Sequence, residues 1–455
     1  MSCWVDHEVA GARMKDQRLK TRLGQVLSQL SREPERSIPG ACKQWGDVLG
    51  AYRFFDNDRV ELADILSGHK AATLSRMADQ QVILIAQDTT FLNFEQLQAH
   101  EEFGTLKKTV RDEHLLHVNV AFTDQRVNLG VLSGQLWQRT GEGIAKTRRQ
   151  RPTTQKESQR WLDGYAVACE VQARYPQKWV INIADREGDI HEWYELAEHT
   201  DGPRCASYIV RAKQERRIEI EDDEYGYLWE WMAAQPVLGS YEIEVSAKGG
   251  HGARRAQVRV RAGEVTLSGR LGGAMQPVTL HAVLAAEENA PEGVSPIRWM
   301  LLTNIPADSY ESARAIIQWY RCRWEIEIFF RVIKNACRIE ALRLQTAPRL
   351  YNAIAVYLII AWRLHMLTML AREHPQVACS EVFSTPEWQT IYIMHKRKPP
   401  PKAPPTLREA TRMLASLGGF LGRRGDGEPG TKTIWIGYTN LLAYIAAIDQ
   451  VTALR

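Results

Sequence analysis

The stretch Val82-Ile83-Leu84-Ile85-Ala86-Gln87-Asp88-Thr89-Thr90 decides the fold, because it joins an unbroken apolar run to a polar end that contains a carboxylate. Apolar runs of this length without alternation are typical of strands that are buried on both faces of a sheet. A second run of the same kind, Trp179–Ala184, is followed directly by Asp185. The two runs therefore predict two buried strands, each ending near an aspartate.

Strand and helix patterns alternate around these two runs. Strand-like segments at Leu115–Phe122 and Val127–Leu136 follow the first run, and a helix pattern at about 156–174 precedes the second. A short helix pattern at Ile190–Ala197 and a strand pattern at Ser207–Ala212 complete the series. The order strand-strand-strand-helix-strand-helix-strand predicts an α/β fold, with a mixed sheet that carries helices on its faces.

Patterns on either side of this series predict further parts of the molecule. Near the N-terminus, helix patterns at about 14–30 and 45–55 have basic flanks, which suits a small DNA-binding module or a plain helical pair. Residues from about 214 to 296 show alternating strand signals between Gly-rich turns, which predicts a β-rich insertion. A helical tail follows Trp362 and is broken by the basic, proline-rich stretch 396–405.

The composition is that of an ordinary soluble globular protein. The 455 residues include 58 Lys and Arg against 54 Asp and Glu, a net charge of +4, and 44% are hydrophobic. These values exclude a disordered or fibrous chain. Basic residues concentrate in three segments, 142–160, 320–349 and 396–432, a distribution compatible with phosphate-binding surfaces and equally with solvated helix faces.

The cysteines and the apolar runs indicate the compartment. Seven cysteines are scattered along the chain without a CxxC pair, which predicts a reducing environment and no zinc site. The N-terminus lacks the apolar core of a secretion signal. The apolar runs Leu350–Trp362 and Thr433–Ile448 are predicted to be too short or too polar to span a bilayer. We therefore expect a cytoplasmic protein.

A long helix pattern begins near Asp308 and Glu311, which have capping-box spacing, and runs to about Ala336. Polar residues at intervals of three, four and seven share one face of this helix: Tyr320, Arg323, Glu327 and Lys334. Such a face can be simply exposed to solvent, where an Arg–Glu pair contributes roughly 0.3 kcal/mol. It can also present one carboxylate framed by two cations and a phenol.

The predicted topology favours the second interpretation. If the two buried strands are neighbours, Asp88 and Asp185 lie side by side at one edge of the sheet, and the long helix can bring Glu327 to them. Each aspartate alone is more often a turn residue. Oxygen ligands without His or Cys favour Mg²⁺ or Mn²⁺ over Zn²⁺. Two such ions about 3.5–4 Å apart can activate a nucleophile and stabilise the leaving oxygen of a phosphodiester.

In their order and spacing these motifs resemble the DDE transposases of bacterial insertion sequences, in the cut-and-paste subgroup marked by a Tyr-Arg-Glu-Lys signature. A match to any one of these motifs is weak evidence, whereas the full set of motifs, in this order, covers nearly the whole chain. The motifs are Ala51-Tyr52-Arg53-Phe54-Phe55, Asp88-Thr89-Thr90, Lys156-Glu157-Ser158 with Arg160-Trp161, Ala184-Asp185-Arg186-Glu187-Gly188-Asp189-Ile190-His191, Tyr320 with Arg323, Glu327 and Lys334, and Gly418–Gly437.

The resemblance implies a role for each matching residue. The metal ligands would be Asp88, Asp185 and Glu327, while Tyr320, Arg323 and Lys334 would contact DNA near the cleaved end. A base flipped out of the stack needs an aromatic pocket, for which Trp299 and Trp324 are candidates, with a role as core aromatics as the alternative. Arg211 and Lys213 are candidates for contacts to DNA phosphates, with a plain surface role as the alternative.

The resemblance also implies the architecture and the partners. We expect an RNase H-like catalytic domain over 61–365 with a β-rich insertion at about 214–296, a helical DNA-binding domain over 1–60 and a helical dimerisation domain over 366–455. The expected cofactor is Mg²⁺, with Mn²⁺ as a substitute. The expected partners are double-stranded DNA, as terminal inverted repeats and target, and a second copy of the chain, near the bacterial nucleoid.

Two other functions remain open at this point. One is a metal-dependent nuclease of the same fold that cuts without strand transfer. The other is an inactive DNA-binding inhibitor or relic. The presence of all three carboxylates together with the N-terminal module argues against the inactive form, because a relic is free to lose them.

Overall fold

The structure is a computed structural model that describes residues 4–94, 113–139, 156–198, 205–221, 224–245, 252–269 and 275–453. The chain forms two compact units and passes between them more than once. The helical unit comprises Met1–Asp79, Thr89–Glu142 and Glu325–Arg455. The sheet unit comprises Gln80–Asp88 and Gly143–Trp324.

The secondary structure elements are numbered along the described chain. The strands are β1 (Val82–Leu92), β2 (Glu113–Thr123), β3 (Asn128–Arg139), β4 (Trp179–Ala184), β5 (Ser207–Arg211), β6 (Arg217–Glu221), β7 (Glu224–Tyr227), β8 (Gly239–Val245), β9 (Arg254–Leu267), β10 (Val278–Glu287) and β11 (Arg298–Thr303). The helices are α1 (Trp4–Ala10), α2 (Gln17–Arg32), α3 (Ile38–Cys42), α4 (Trp45–Phe55), α5 (Leu62–Met77), α6 (Gln159–Arg174), α7 (His191–Glu198), α8 (Leu228–Ala234), α9 (Tyr310–Arg321), α10 (Trp324–Arg331), α11 (Ala347–Glu373), α12 (Thr385–Lys396), α13 (Leu407–Leu417) and α14 (Thr431–Ala453).

A mixed sheet forms the core of the sheet unit, in the strand order β1-β4-β5-β11-β10-β9-β6-β7. The first three strands run parallel, with Val82 opposite Trp179 and Ile181 opposite Ser207. From β5 onward neighbouring strands pair antiparallel, and β8 pairs with β9 as a branch. The predicted α/β fold with a mixed sheet is confirmed, and the strands of the predicted insertion extend this sheet.

A buried pair of amides sets the register between β1 and β4. Gln87 lies inside the sheet unit, where its side-chain NH₂ donates to the side-chain oxygen of Asn182 at 2.6 Å. Asn182 in turn donates to the carbonyl oxygen of Ile85 at 2.9 Å. Buried polar groups are costly unless they find partners, so this arrangement favours one alignment of the two strands.

The helical unit places α11 in its interior, where nearly every residue from Leu350 to Met369 is buried. This helix is long and apolar enough to cross a membrane, and 89% of its most apolar window is buried inside the protein. The prediction that this segment is too short was wrong, because the helix continues past Trp362 to Glu373. Its apolar composition is accounted for by packing within the unit.

The C-terminal helices approach each other closely. A side chain at Gly418 would place its Cβ 2.0 Å from the carbonyl oxygen of Thr433, and one at Gly437 would meet that of Leu414 at 2.0 Å. Only glycine allows this contact between the end of α13 and α14. The predicted helical tail is therefore confirmed as a packed set of helices, in which the proline-rich stretch follows α12.

A buried polar network joins α1, α5 and β3 in the helical unit. The carboxylate of Glu8 contacts Nδ1 of His69 and accepts from Nη1 of Arg76 at 2.6 Å. On the other side of the ring, Nε2 of His69 accepts from the backbone N–H of Val131 at 2.9 Å. Burial lowers the pKa of His69, with Glu8 opposing that shift. The imidazole is therefore neutral, because a second ring proton would break the bond to Val131.

This network predicts a stability that depends on pH. In the unfolded chain His69 takes up a proton below its ordinary pKa of about 6.5, whereas the folded site resists it. We therefore expect the free energy of unfolding to decrease as the pH falls from 7 to 5. Urea unfolding at both pH values measures this change. His69→Gln should show a smaller decrease, His374→Gln at an exposed position should match the wild type, and equal decreases in all three would contradict the assignment.

Candidate active site

Two aspartates follow the segment over which the parallel strands β1 and β4 pair in the sheet unit. Asp185 comes directly after β4, whereas β1 continues past Asp88 to Leu92, so the prediction that the first strand ends at its aspartate was wrong. Ala86 of β1 is opposite Ile183 of β4, and continuing this register by two residues brings Asp88 opposite Asp185. The condition stated from the sequence, that the two strands are neighbours, therefore holds. The backbone alone brings the two aspartates to the same end of the segment over which β1 and β4 pair.

The turn after β4 fixes the position of Asp185. Its Oδ1 accepts from the backbone N–H of Glu187 at 2.8 Å and so caps a short 3₁₀ turn, Arg186–Gly188. A Cβ at Gly188 would lie 2.6 Å from the Cβ of Ala184, so the turn requires glycine. Asp185 thus caps a turn, which is a common structural role of aspartate.

The Arg160 motif supports this turn from α6. The guanidinium Nη2 of Arg160 donates to Oε2 of Glu187 at 2.7 Å, and most of the Arg160 side chain is buried. Within the motif at 156–161 that resembles the family, Arg160 therefore has a structural function in this chain. It ties α6 to the turn that carries Asp185.

The chain leaves the regular helix at the segment that follows α9. The N–H groups of Cys322 and Arg323 donate to carbonyl oxygens three residues back, Trp319 and Tyr320, each at 3.0 Å. The prediction of one long helix was therefore wrong: the segment divides into α9, α10 and a π-helical turn at Val332–Ala336. Because the hydrogen-bonding pattern changes, the four signature residues do not lie on one continuous α-helix. The predicted cap differs as well, since Ser309 and Ser312 form the capping box.

Arg323 binds Asp88 directly. Its Nη1 lies 2.9 Å from Oδ2 of Asp88, and the side chains are only 14% and 12% exposed, respectively. At this depth the ion pair is poorly screened by water, and a hydrogen bond between charged groups is stronger than one between neutral groups. The Asp88 carboxylate thus already holds a cationic group.

Tyr320 lies near two arginines. The phenol is buried, and the charges of Arg323 and Arg211 both act on it. Burial raises the pKa of Tyr320, and the charges of Arg323 and Arg211 only partly offset that shift. The charges of Arg186 and Arg323 also act on Arg211, whose pKa is lowered mainly by burial. Two further guanidinium groups are thus close enough to act on Arg211, and one of them, that of Arg323, binds Asp88.

The two tryptophan candidates occupy different environments. Trp299 on β11 stacks edge-on against Tyr320, with ring centroids 5.7 Å apart, and is partly exposed. Trp324 at the start of α10 is 57% exposed. The alternative of a core aromatic therefore fails for Trp324, and Trp299 belongs to the cluster around Tyr320.

Asp189 is a structural anchor that sequence reasoning missed. Its Oδ2 accepts from the backbone N–H of Lys213 at 2.7 Å, and its Oδ1 accepts from Nε of Arg216 and the hydroxyl of Tyr194 at 2.8 and 2.9 Å. The backbone at Lys213 is held in this way while its side chain is exposed. Proximity to Asp185 in sequence was the only signal, and it does not predict a partner as distant as Arg216.

Two signature residues belong to the helical unit. Glu327 lies in α10 and is partly exposed. Lys334 lies in the π-helical turn, where its Nζ donates to the carbonyl oxygen of Phe91 and lies 3.9 Å from Oε1 of Glu340. Single π-helical turns of this kind are frequent at functional sites.

The carboxylate oxygens of Asp88 and Asp185 in the sheet unit are ligands of the kind that a hard divalent cation prefers. Adjacent carboxylates repel each other unless a cation compensates them, and Asp88 already accepts the guanidinium of Arg323. Within the part of the chain that the structure describes, no three His, Cys, Asp or Glu side chains come close enough together to hold a metal ion. The role of Glu327 as a third ligand therefore stays a prediction.

Comparisons with known proteins give a consistent family. Residues 1–60 match the family described as Transposase DNA-binding, residues 119–363 match Transposase DDE domain, and residues 359–452 match Transposase Tn5 dimerisation domain. The DDE match covers more than half of the chain. The chain is also similar to the protein in a cryo-EM structure of a piggyBac transposase synaptic complex with hairpin DNA, with a TM-score of 0.33 and 9% identity. That alignment covers 64% of this chain and 48% of the other, so this chain spans about half the length of that protein.

The buried anchor at Asp189 yields a prediction on stability. Asp189→Asn leaves the charge of Arg216 buried without its carboxylate, and we expect the free energy of unfolding to fall by about 3–5 kcal/mol. Urea unfolding measures the loss. Asp308→Asn, at an exposed carboxylate, is the control and should change stability by less than about 0.5 kcal/mol. A loss at Asp189 no larger than that at Asp308 would contradict the anchor role.

Proposed function

This chain belongs to the DDE transposase family, and from that premise we propose that it is a DNA transposase of the cut-and-paste type. It cleaves phosphodiester bonds at the ends of its own element and joins the freed 3′-hydroxyls to target DNA. The single observation that supports this most strongly is the register of β1 and β4, which, continued by two residues, sets Asp88 opposite Asp185.

Membership of this family implies dependence on a divalent metal. We infer that Mg²⁺, or Mn²⁺ in its place, is held by Asp88, Asp185 and Glu327. When bound, such ions activate a water or 3′-hydroxyl and stabilise the leaving oxygen. The support from this chain is the pair of adjacent carboxylates, one of which already accepts a cationic group.

The remaining residues of the site bind and orient DNA in this proposal. Arg323 and Lys334 contact phosphates near the cleaved end, and Tyr320 orients the arginines beside it. Arg211 and the exposed side chain of Lys213 extend the basic surface. Trp299 and Trp324 provide the aromatic rings on which DNA bases stack in this proposal.

The architecture proposed for these parts follows the family matches. The catalytic domain, over 61–365, is RNase H-like, and the three parallel strands β1, β4 and β5 support that assignment. A DNA-binding domain over 1–60 recognises the terminal inverted repeats. A helical domain over 366–455 dimerises the protein on DNA. The Tyr-Arg-Glu-Lys subgroup and a place near the bacterial nucleoid, in the cytoplasm, belong to the same proposal.

The decisive experiment uses purified protein, Mg²⁺ and a marker flanked by the DNA ends that surround the gene. We expect excision and strand transfer by the wild type. Asp88→Asn, Asp185→Asn and Glu327→Gln should each lower both products by on the order of 1,000-fold, because each removes an ion ligand. Gel analysis of cleaved and joined products gives the measurement.

The matched control is Glu187→Gln, which changes a carboxylate in the turn beside Asp185 but keeps an oxygen acceptor for Arg160. It should retain most of the activity. Cleavage without joining would favour a nuclease, and binding of the ends without cleavage would favour an inactive inhibitor. Joining that persists in Glu327→Gln would remove the third carboxylate from the proposal.

A further inference from the structure

The Asp88 carboxylate is bound by a side chain of the same unit at the place where a cation is needed. We propose that Arg323 is a positioning residue that holds Asp88 in the DNA-free protein and releases it when a DNA phosphate takes up the guanidinium. DNA binding would then prepare Asp88 to receive a divalent cation. This inference rests on the proposed function and deepens it.

The geometry shows why the two cations compete. The guanidinium Nη1 of Arg323 approaches Oδ2 of Asp88 at 2.9 Å, a full hydrogen-bond contact. A divalent ion bound to the same carboxylate would place a second positive charge next to the guanidinium in a poorly hydrated site. Strong binding of the ion therefore requires Arg323 to move away or to share its charge with an anion.

The ion pair also compensates negative charge in the DNA-free site. Asp88 and Asp185 are held side by side by the register of their strands, and two close carboxylates repel each other. One guanidinium placed on Asp88 lowers that repulsion without a metal. The protein can thus fold with its carboxylates in place before either ion or DNA is bound.

A phosphate is the anion that best fits the surroundings of Arg323. The charges of Arg186 and Arg323 both act on Arg211, and those of Arg211 and Arg323 both act on the buried hydroxyl of Tyr320. Neighbouring guanidinium groups repel each other and are stabilised by a shared oxyanion. A phosphate of the DNA backbone therefore offers Arg323 a second partner close to its first.

The test measures metal binding directly, without catalysis. Mn²⁺ is titrated into the full-length protein and the free ion is followed by electron paramagnetic resonance, with and without a duplex of the element end that already carries its cleaved 3′-hydroxyl. The duplex is added at saturating concentration and no target DNA is present. The variants are Arg323→Ala and Arg323→Gln, with Asp88→Asn to show which signal belongs to this carboxylate.

In the DNA-free state we expect Arg323→Ala and Arg323→Gln to bind Mn²⁺ about tenfold more tightly than the wild type. The duplex should tighten Mn²⁺ binding to the wild type by about the same factor and should change binding to the two variants little. Arg321→Ala is the matched control, since this neighbouring guanidinium donates to Gln318 at 3.1 Å. It should behave as the wild type does.

Equal Mn²⁺ affinities of wild type and both Arg323 variants without DNA would overturn the inference. So would an equal gain on adding DNA to wild type and variants. Circular dichroism identifies a variant that has not folded, and the second Arg323 variant then decides. Failure of the proposed function has a different signature, which is wild-type protein that binds the ends but cleaves nothing in Mg²⁺, whatever the Mn²⁺ titrations show.

Discussion

The hydrogen bond between the side chains of Gln87 and Asn182 is the constraint on which the candidate site depends. A slip of two residues keeps each apolar side chain on its own face of the sheet, whereas a buried amide that loses its partner is costly. This amide pair therefore favours the alignment in which the register, continued by two residues, sets Asp88 opposite Asp185. The polar residue before the aspartate is thus a structural part of the site.

The second constraint is the local tightening of the chain at Cys322 and Arg323. Hydrogen bonds to residues three positions back, in place of four, end α9 and start α10 within two residues. The change sets the direction of Arg323, which reaches Asp88 across more than 200 residues of sequence. A straight helix would keep the spacing of the signature but would direct its side chains differently. Local backbone geometry therefore decides which charges meet.

The sequence predicted the elements better than their contacts. β4 coincides with the predicted run, because an apolar stretch bounded by polar residues defines a buried strand well. The spacing of apolar residues across 308–336 has a helical period. A single tighter turn does not change that spacing, so the break of the helix at Cys322 could not be predicted from the sequence. The anchor at Asp189 was missed for a related reason. Its partner Arg216 is brought to it only by the tertiary fold.

Family resemblance assigns Arg323 and Lys334 to DNA, and in the free protein both contact acceptors of the chain itself. Arg323 contacts a carboxylate, while Lys334 contacts the carbonyl oxygen of Phe91. If both residues bind DNA as proposed, binding is an exchange of partners, and its free energy is the difference between the new contacts and those given up. A single phosphate in an arbitrary duplex gains little from such an exchange. In the proposed transposase, a duplex that is held in register by other contacts would supply several phosphates at once, so the internal partners of Arg323 and Lys334 would raise the discrimination between element ends and other DNA.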